Sequence, residues 1–173
     1  MARIEGITIQ NYRALKNVTL GKTFEHQNGV PLPSMMAVIG PNGSGKSTLL
    51  DAFGFVRDCL TDGVEEACER GTRGGFERLR TKSATEPIKF ELYYREHDEE
   101  RPISYSLWVD ADRSGRPFVE KERFRQRRPG LTSGAPFSFV DFKKGTGFAW
   151  AGERVHGRGG RLREDQDSTG RSS

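Results

Sequence analysis

Along residues 3–12, RIEGITIQNY, apolar and polar side chains alternate, with Ile7 and Ile9 on one face and Thr8 and Gln10 on the other. That period of two predicts a half-buried strand. Ile4 is out of phase with the pair, and Gly6 between them allows a β-bulge. After the turn-like Ala14-Leu15-Lys16-Asn17, the short run Val18-Thr19-Leu20 is expected to fold back as an antiparallel partner. Gly21, Asn28, Gly29, Pro31 and Pro33 mark residues 21–34 as a loop. Met35-Met36-Ala37-Val38-Ile39 is continuously apolar, the pattern of a strand covered on both faces.

Past Gly45 the period changes. Leu49, Phe53, Val56 and Leu60 recur at helical spacing, with Leu50, Ala52 and Cys59 widening the stripe, which predicts an amphipathic helix. Asp62 with Glu65 three residues later imitates a capping box and predicts a second, short helix that ends before Gly71. Residues 71–85 are rich in Gly and Arg. Strand-like runs then occupy 88–95, 103–109, 118–126 and 137–142, and Phe148-Ala149-Trp150 closes what reads as an antiparallel meander. From Ala151 onward the chain is polar and aperiodic. The expected organisation is a folded lobe over 1–150 and a polar, disordered tail over 151–173.

Composition narrows the reading only a little. With 173 residues the chain is sized for one domain, and 34% hydrophobic against 30% charged residues is polar for a globular one. Lys and Arg outnumber Asp and Glu by 28 to 24, so contact with a polyanion is allowed. Cys59 and Cys68 lack metal-ligand spacing and fall in helical segments, where a free thiol serves as a small apolar group in a reducing compartment. No apolar run approaches the ~18 residues of a membrane helix, and the N-terminus has no signal-like core. A cytoplasmic protein without membrane contact is the expectation.

The chemistry is concentrated in Gly40-Pro41-Asn42-Gly43-Ser44-Gly45-Lys46-Ser47, which fits G-x-x-x-x-G-K-[ST] between the apolar run and the amphipathic helix. Glycines let successive backbone N–H groups turn inward around phosphate oxygens, and the helix start adds unpaired N–H groups and a positive dipole end. Lys46 is placed to reach the β and γ phosphates, the Ser47 hydroxyl to bind Mg²⁺, and Thr48 to contact the chain nearer the α phosphate. ATP with Mg²⁺ is the expected ligand. A small-molecule P-loop kinase would use the same loop, but here some thirty residues with two predicted strands precede it.

The segments RIEGITIQNYRALKNVTL and VIGPNGSGKSTLLDAFGFV together resemble the opening of ABC-type ATPase heads of the SMC, RecF and OLD group, and more closely the AAA-family ATPases of bacteria related to them. The resemblance covers roughly residues 2–150. It implies an α/β P-loop nucleotide-binding lobe with an antiparallel β subdomain, and it maps Arg13 onto a basic residue near the nucleotide. It also implies hydrolysis of ATP held between two subunits, the loop of one facing a signature motif of the other, with an acidic residue after a hydrophobic strand activating water.

Those further parts are not found in this chain. Leu131-Thr132-Ser133-Gly134 faintly matches a signature, and Phe137 to Asp141 and Leu107 to Asp110 are apolar runs ending in Asp. The first two lie too close together for the helix that separates such motifs, and no Glu follows Asp110, so all read as ordinary strand and turn residues. Gln126, at a strand end, has too loose a spacing to be assigned to the metal. His26, His97 and His156 lie in loop-like surroundings without metal spacing. The expectation is therefore a lobe incomplete at its C-terminal side, catalytic residues unknown, acting as a homodimer or with a partner that supplies the rest. A nucleotide sensor or assembly module without turnover is the alternative. Arg123, Arg125 and Arg127 alternate on a predicted strand opposite Phe124, with Arg128 beside them, a row able to meet nucleic-acid phosphates.

Overall fold

The computed structural model describes residues 2–97, 100–126 and 137–150. β1 (Arg3–Tyr12) and β2 (Leu15–Gly21) form a hairpin. Then come α1 (Lys46–Asp62), α2 (Val64–Glu69) and the one-turn α3 (Phe76–Leu79). The remainder is the meander β3 (Ile88–Arg95), β4 (Ile103–Ala111), β5 (Pro117–Gln126), β6 (Phe137–Lys143) and β7 (Thr146–Ala149). All seven strands join one antiparallel sheet in the order β2-β1-β3-β4-β5-β6-β7. The predicted meander is present in full.

The bulge expected at Gly6 is present as a register shift between Ile4 and Gly6 opposite β3. It turns Glu5 inward, nearly fully buried, to accept from Arg95, while Ile4 is left exposed. Gly6 is needed for a second reason. A Cβ there would lie 2.1 Å from the carbonyl oxygen of Lys22, because the loop after β2 is tied back by Lys22 and Leu32 N–H groups donating to the Glu5 carbonyl.

α1 lies on one face of the sheet. Its Leu49, Ala52, Phe55 and Val56 pack onto Ile7, Ile9, Phe90, Leu107 and Val109. Phe55 stands at the centre, its ring centroid 5.5 Å from that of Tyr12 and 5.6 Å from that of Phe90. Full burial of one such ring stabilises by about 2–3 kcal/mol. Cys68 is buried and Cys59 half-buried, and burial pushes both thiols up to about 12, so they stay protonated and serve as apolar filler as expected.

Three expectations are corrected. Met35 to Ile39 are not a strand and join no sheet; Met35 is 90% and Ile39 92% exposed. The apolar pattern is that of a strand with two neighbours, and among the described residues the segment pairs with no strand. Leu50 and Leu60 also face outward, so the helix stripe is narrower than predicted and centred on Phe55. Asp62 ends α1 rather than capping α2: Gly63, at φ 90°, makes the break, and Asp62 pairs with Arg70. Residues 151–173, the predicted tail, lie outside the described residues.

Candidate nucleotide site

The loop from Gly40 to Ser44 runs exposed from the apolar segment to the start of α1. Gly43 (φ 82°) and Gly45 (φ 92°) take the left-handed conformation that the phosphate-loop reading requires of them. Nothing lies within 4 Å of a Cβ placed on Gly43, so it is the positive φ rather than crowding that calls for glycine there. Gly45 is the N-cap of α1 and has no side chain to satisfy the first turn, whose N–H groups lack helical partners by geometry. No acidic residue occupies that turn, so the positive end of the helix is left uncompensated for an anion. Ser47 and Thr48 sit in the same turn, one exposed and one half-buried. Lys46 Nζ donates to the carbonyl oxygens of Gly40 and Pro41, at 2.7 Å each. The ammonium thus spans the mouth of its own loop. A backbone cradle, a helix end without an acid and a lysine held by weak exposed acceptors fit a nucleotide polyphosphate.

Beneath the loop is a network that the sequence reading did not single out. The β1–β2 turn touches the loop, since a Cβ on Gly45 would lie 3.5 Å from Leu15 Cδ2. Asn11 (φ 60°) and Arg13 (φ 50°) both take left-handed backbone to make the turn. Asn11 donates from its amide to the Pro87 carbonyl, and the Tyr12 hydroxyl donates to Asp51 Oδ2 at 2.6 Å. Burial, followed by the hydrogen bond and charge of Asp51, raises the Tyr12 phenol well above its ordinary value and keeps it protonated. Arg13 is brought to α1, where its guanidinium lies 3.4 Å from Asp51 Oδ2. It also lines a cleft of about 620 Å³ with Arg78, Arg80 and Lys82.

Arg73 completes the network from the segment between α2 and α3. Its Nε donates to Asp51 Oδ1 at 3.0 Å, its Nη1 to Asp58 Oδ2 at 2.7 Å and to the Ala67 carbonyl at 2.9 Å, and its guanidinium carbon lies 5.3 Å from the Phe55 centroid. Asp58 also accepts from Arg57 and Arg70. Asp51 and Asp58 lie seven residues apart, two turns on one helix face, and that spacing beside an apolar stripe was the available signal.

The remaining candidates are not brought to the loop. Gln126 donates to the Arg101 carbonyl at the end of β5. Asp110 pairs with Arg80 and Asp141 with Arg123, in keeping with their reading as ordinary strand and turn residues. His26 contacts Thr23, and His97 is exposed. Leu131 to Gly134, Arg127, Arg128 and His156 lie outside the described residues. Among the described residues no three His, Cys, Asp or Glu side chains cluster to hold a metal, and no helix is long and apolar enough to cross a membrane.

A protein-family model described as "AAA domain, putative AbiEii toxin, Type IV TA system" matches residues 35–169, which include the whole loop, the Asp51, Asp58 and Arg73 part of the network, and the meander. No curated protein matches the chain.

Proposed function

The chain belongs to this family of AAA domains, and hence to the P-loop ATPase type, and from that premise we propose that it binds MgATP in the loop from Gly40 to Thr48. The observation that carries the reading is the uncapped, acid-free start of α1 with Lys46 drawn across the loop mouth. In this reading Lys46 and the loop N–H groups hold the β and γ phosphates, Ser47 holds Mg²⁺, and Arg13 approaches the nucleotide from the β1–β2 turn. Calorimetric titration of ATP with and without Mg²⁺ tests it, and no heat of binding at millimolar nucleotide would defeat it. Ser47→Ala should weaken MgATP by roughly 10-fold while leaving metal-free ATP nearly unchanged, as expected for loss of one hydroxyl ligand.

Hydrolysis belongs to the assembled protein, in the manner of the ABC-type heads that the chain resembles. The carboxylates on the helix after the loop, Asp51 and Asp58, are committed to Tyr12 and to arginines, which favours a partner as the source of the activating base. The same observation supports the rival reading of a nucleotide-binding module without turnover. ATPase assays on the chain alone and with candidate partners separate the two.

The partner is proposed to seat on Met35 to Ile39 and on Leu50, which are exposed apolar residues flanking the loop. An extended apolar segment outside any sheet is a ready acceptor for an added strand. Ile39→Glu should therefore abolish association in light scattering while changing unfolding free energy by under about 0.5 kcal/mol, since the side chain makes little contact in the isolated chain. Association that persists in Ile39→Glu would exclude this face.

A further inference from the structure

The face of the sheet opposite α1 carries a second charged surface that nucleotide binding does not use. Cross-strand register places Lys89, Trp108, Lys121 and Lys143 side by side on β3, β4, β5 and β6. The next alternate positions of β5 on the same face are Arg123, opposite Ser106, and Arg125, opposite Ser104. Lys89, Trp108, Lys121, Arg123 and Arg125 border a cleft of about 220 Å³. Lys89 and Lys121 place their ammonium groups 4.7 and 4.8 Å from the Trp108 ring, so the indole holds two cations in fixed positions rather than offering a bare stacking face. Arg125 is held in the same way over Phe24, at 4.5 Å.

Acidic groups offset these cations only in part: Glu86 lies 3.5 Å from Lys89, and Glu25 and Glu91 also line the cleft. Glu91 spends its Oε1 on the Phe24 N–H and the Ser104 hydroxyl, and burial raises its carboxyl toward the uncharged form. Asp141 pairs with Arg123 through Nη2, yet the Nε–H groups of Arg123 and Arg125 are buried without an acceptor among the described residues. Burial lowers the Lys121 ammonium, and Arg123, Arg125 and Lys143 lower it further. Buried donors without acceptors and crowded like charges both favour an incoming anion.

We propose that this face binds the phosphate backbone of a nucleic acid, at a site separate from the P-loop. Lys121, Arg123 and Arg125 follow one another at alternate positions of a strand, about 6.6 Å apart. That repeat suits a chain that presents a phosphate at every step. The three are half-buried, recessed in the cleft, so a narrow polymer reaches them and a flat membrane surface does not. Contact through phosphates makes binding indifferent to sequence and steeply dependent on salt.

Fluorescence anisotropy of the full chain with a labelled oligo-dT and with a mixed-sequence duplex tests this. Binding at low salt should weaken linearly in log–log form as salt rises. Lys121→Ala/Arg125→Ala should bind at least 10-fold more weakly and show a salt slope shallower by about 1.4, the value for two lost single-strand phosphate contacts. Lys46→Ala should bind the oligonucleotide like the parent, which separates this site from the nucleotide loop. Thermal melting of the double variant near the parental temperature shows that the sheet is intact. If the melt is lowered, Arg125→Gln and Lys121→Gln take its place. Absence of binding at low salt, equal affinity in these variants, or binding to anionic vesicles in preference to either nucleic acid would overturn the proposal.

Discussion

Asp58→Asn should lower the unfolding free energy by about 3 kcal/mol in urea titrations, the cost of removing the buried carboxylate that makes the shortest bond to the Arg73 guanidinium. Asp58 is 1% exposed and the Arg73 side chain 7%, so water cannot replace the lost partner. Arg57 and Arg70 reach solvent and lose little; Arg73 keeps Asp51 and the Ala67 carbonyl but not its shortest bond. Glu77→Gln breaks the exposed pair with Arg80 and should cost under about 1 kcal/mol, which calibrates the difference. The pH dependence has a definite sign. Burial pushes the Asp58 carboxyl up, but hydrogen bonds from Arg57 and Arg73 and their charges outweigh it and hold the group at about 2. A carboxyl lowered by folding stabilises fully above its unfolded value, 3.8, and loses that contribution as pH falls toward 2. The gap between parent and Asp58→Asn should therefore be constant at neutral pH and narrow across that window. A gap unchanged down to pH 2 would show that the carboxylate charge is not what Arg73 needs.

The same network explains what was legible in the sequence and what was not. Strands such as β1 and β3 announce themselves because one face of each is buried by local alternation, a property of the chain itself. The loop is legible because its glycines and lysine answer to backbone geometry and charge, which do not depend on distant partners. Met35 to Ile39 mislead because apolar runs report the neighbours that a strand is suited to, and no neighbour is present among the described residues. Phe55 is hidden by the wider apolar composition of α1: Leu50 and Leu60 imitate core positions, while the actual face is set by where Tyr12 and Phe90 stand. Arg13 is marked in the sequence only by resemblance, whereas physically Asn11-Tyr12-Arg13 is a hub. It makes a left-handed turn, fills the core with Tyr12, and ties β1 to α1 through Asp51. Arg13 is accordingly no free strand-end cation. The partner of that hub, Arg73, comes from a Gly- and Arg-rich segment whose sequence has no periodicity, so only the fold brings the two together.

Lys46→Ala is expected to weaken MgATP binding on the order of 100-fold in calorimetry without weakening the fold. Two charge-assisted bonds to phosphate oxygens stabilise by about 1.5–3 kcal/mol each. Against that stand the bonds Lys46 already makes to the Gly40 and Pro41 carbonyls, which it must exchange for phosphate. Because those bonds are exposed, the exchange recovers most of the gain, leaving about 3 kcal/mol, or roughly 100-fold in affinity. Stability should move the other way. Lys46 is the first residue of α1, where a cation opposes the helix dipole and no acid compensates, so its removal should leave the melting temperature unchanged or slightly raised. This divergence separates a ligand-binding lysine from a structural one. Loss of binding together with a lowered melt would assign Lys46 to holding the loop closed, and undiminished affinity would remove it from the phosphate site altogether. Lys46→Arg keeps the charge but replaces a point ammonium with a broad planar fork that the loop mouth is not shaped for, so it should recover only part of the affinity.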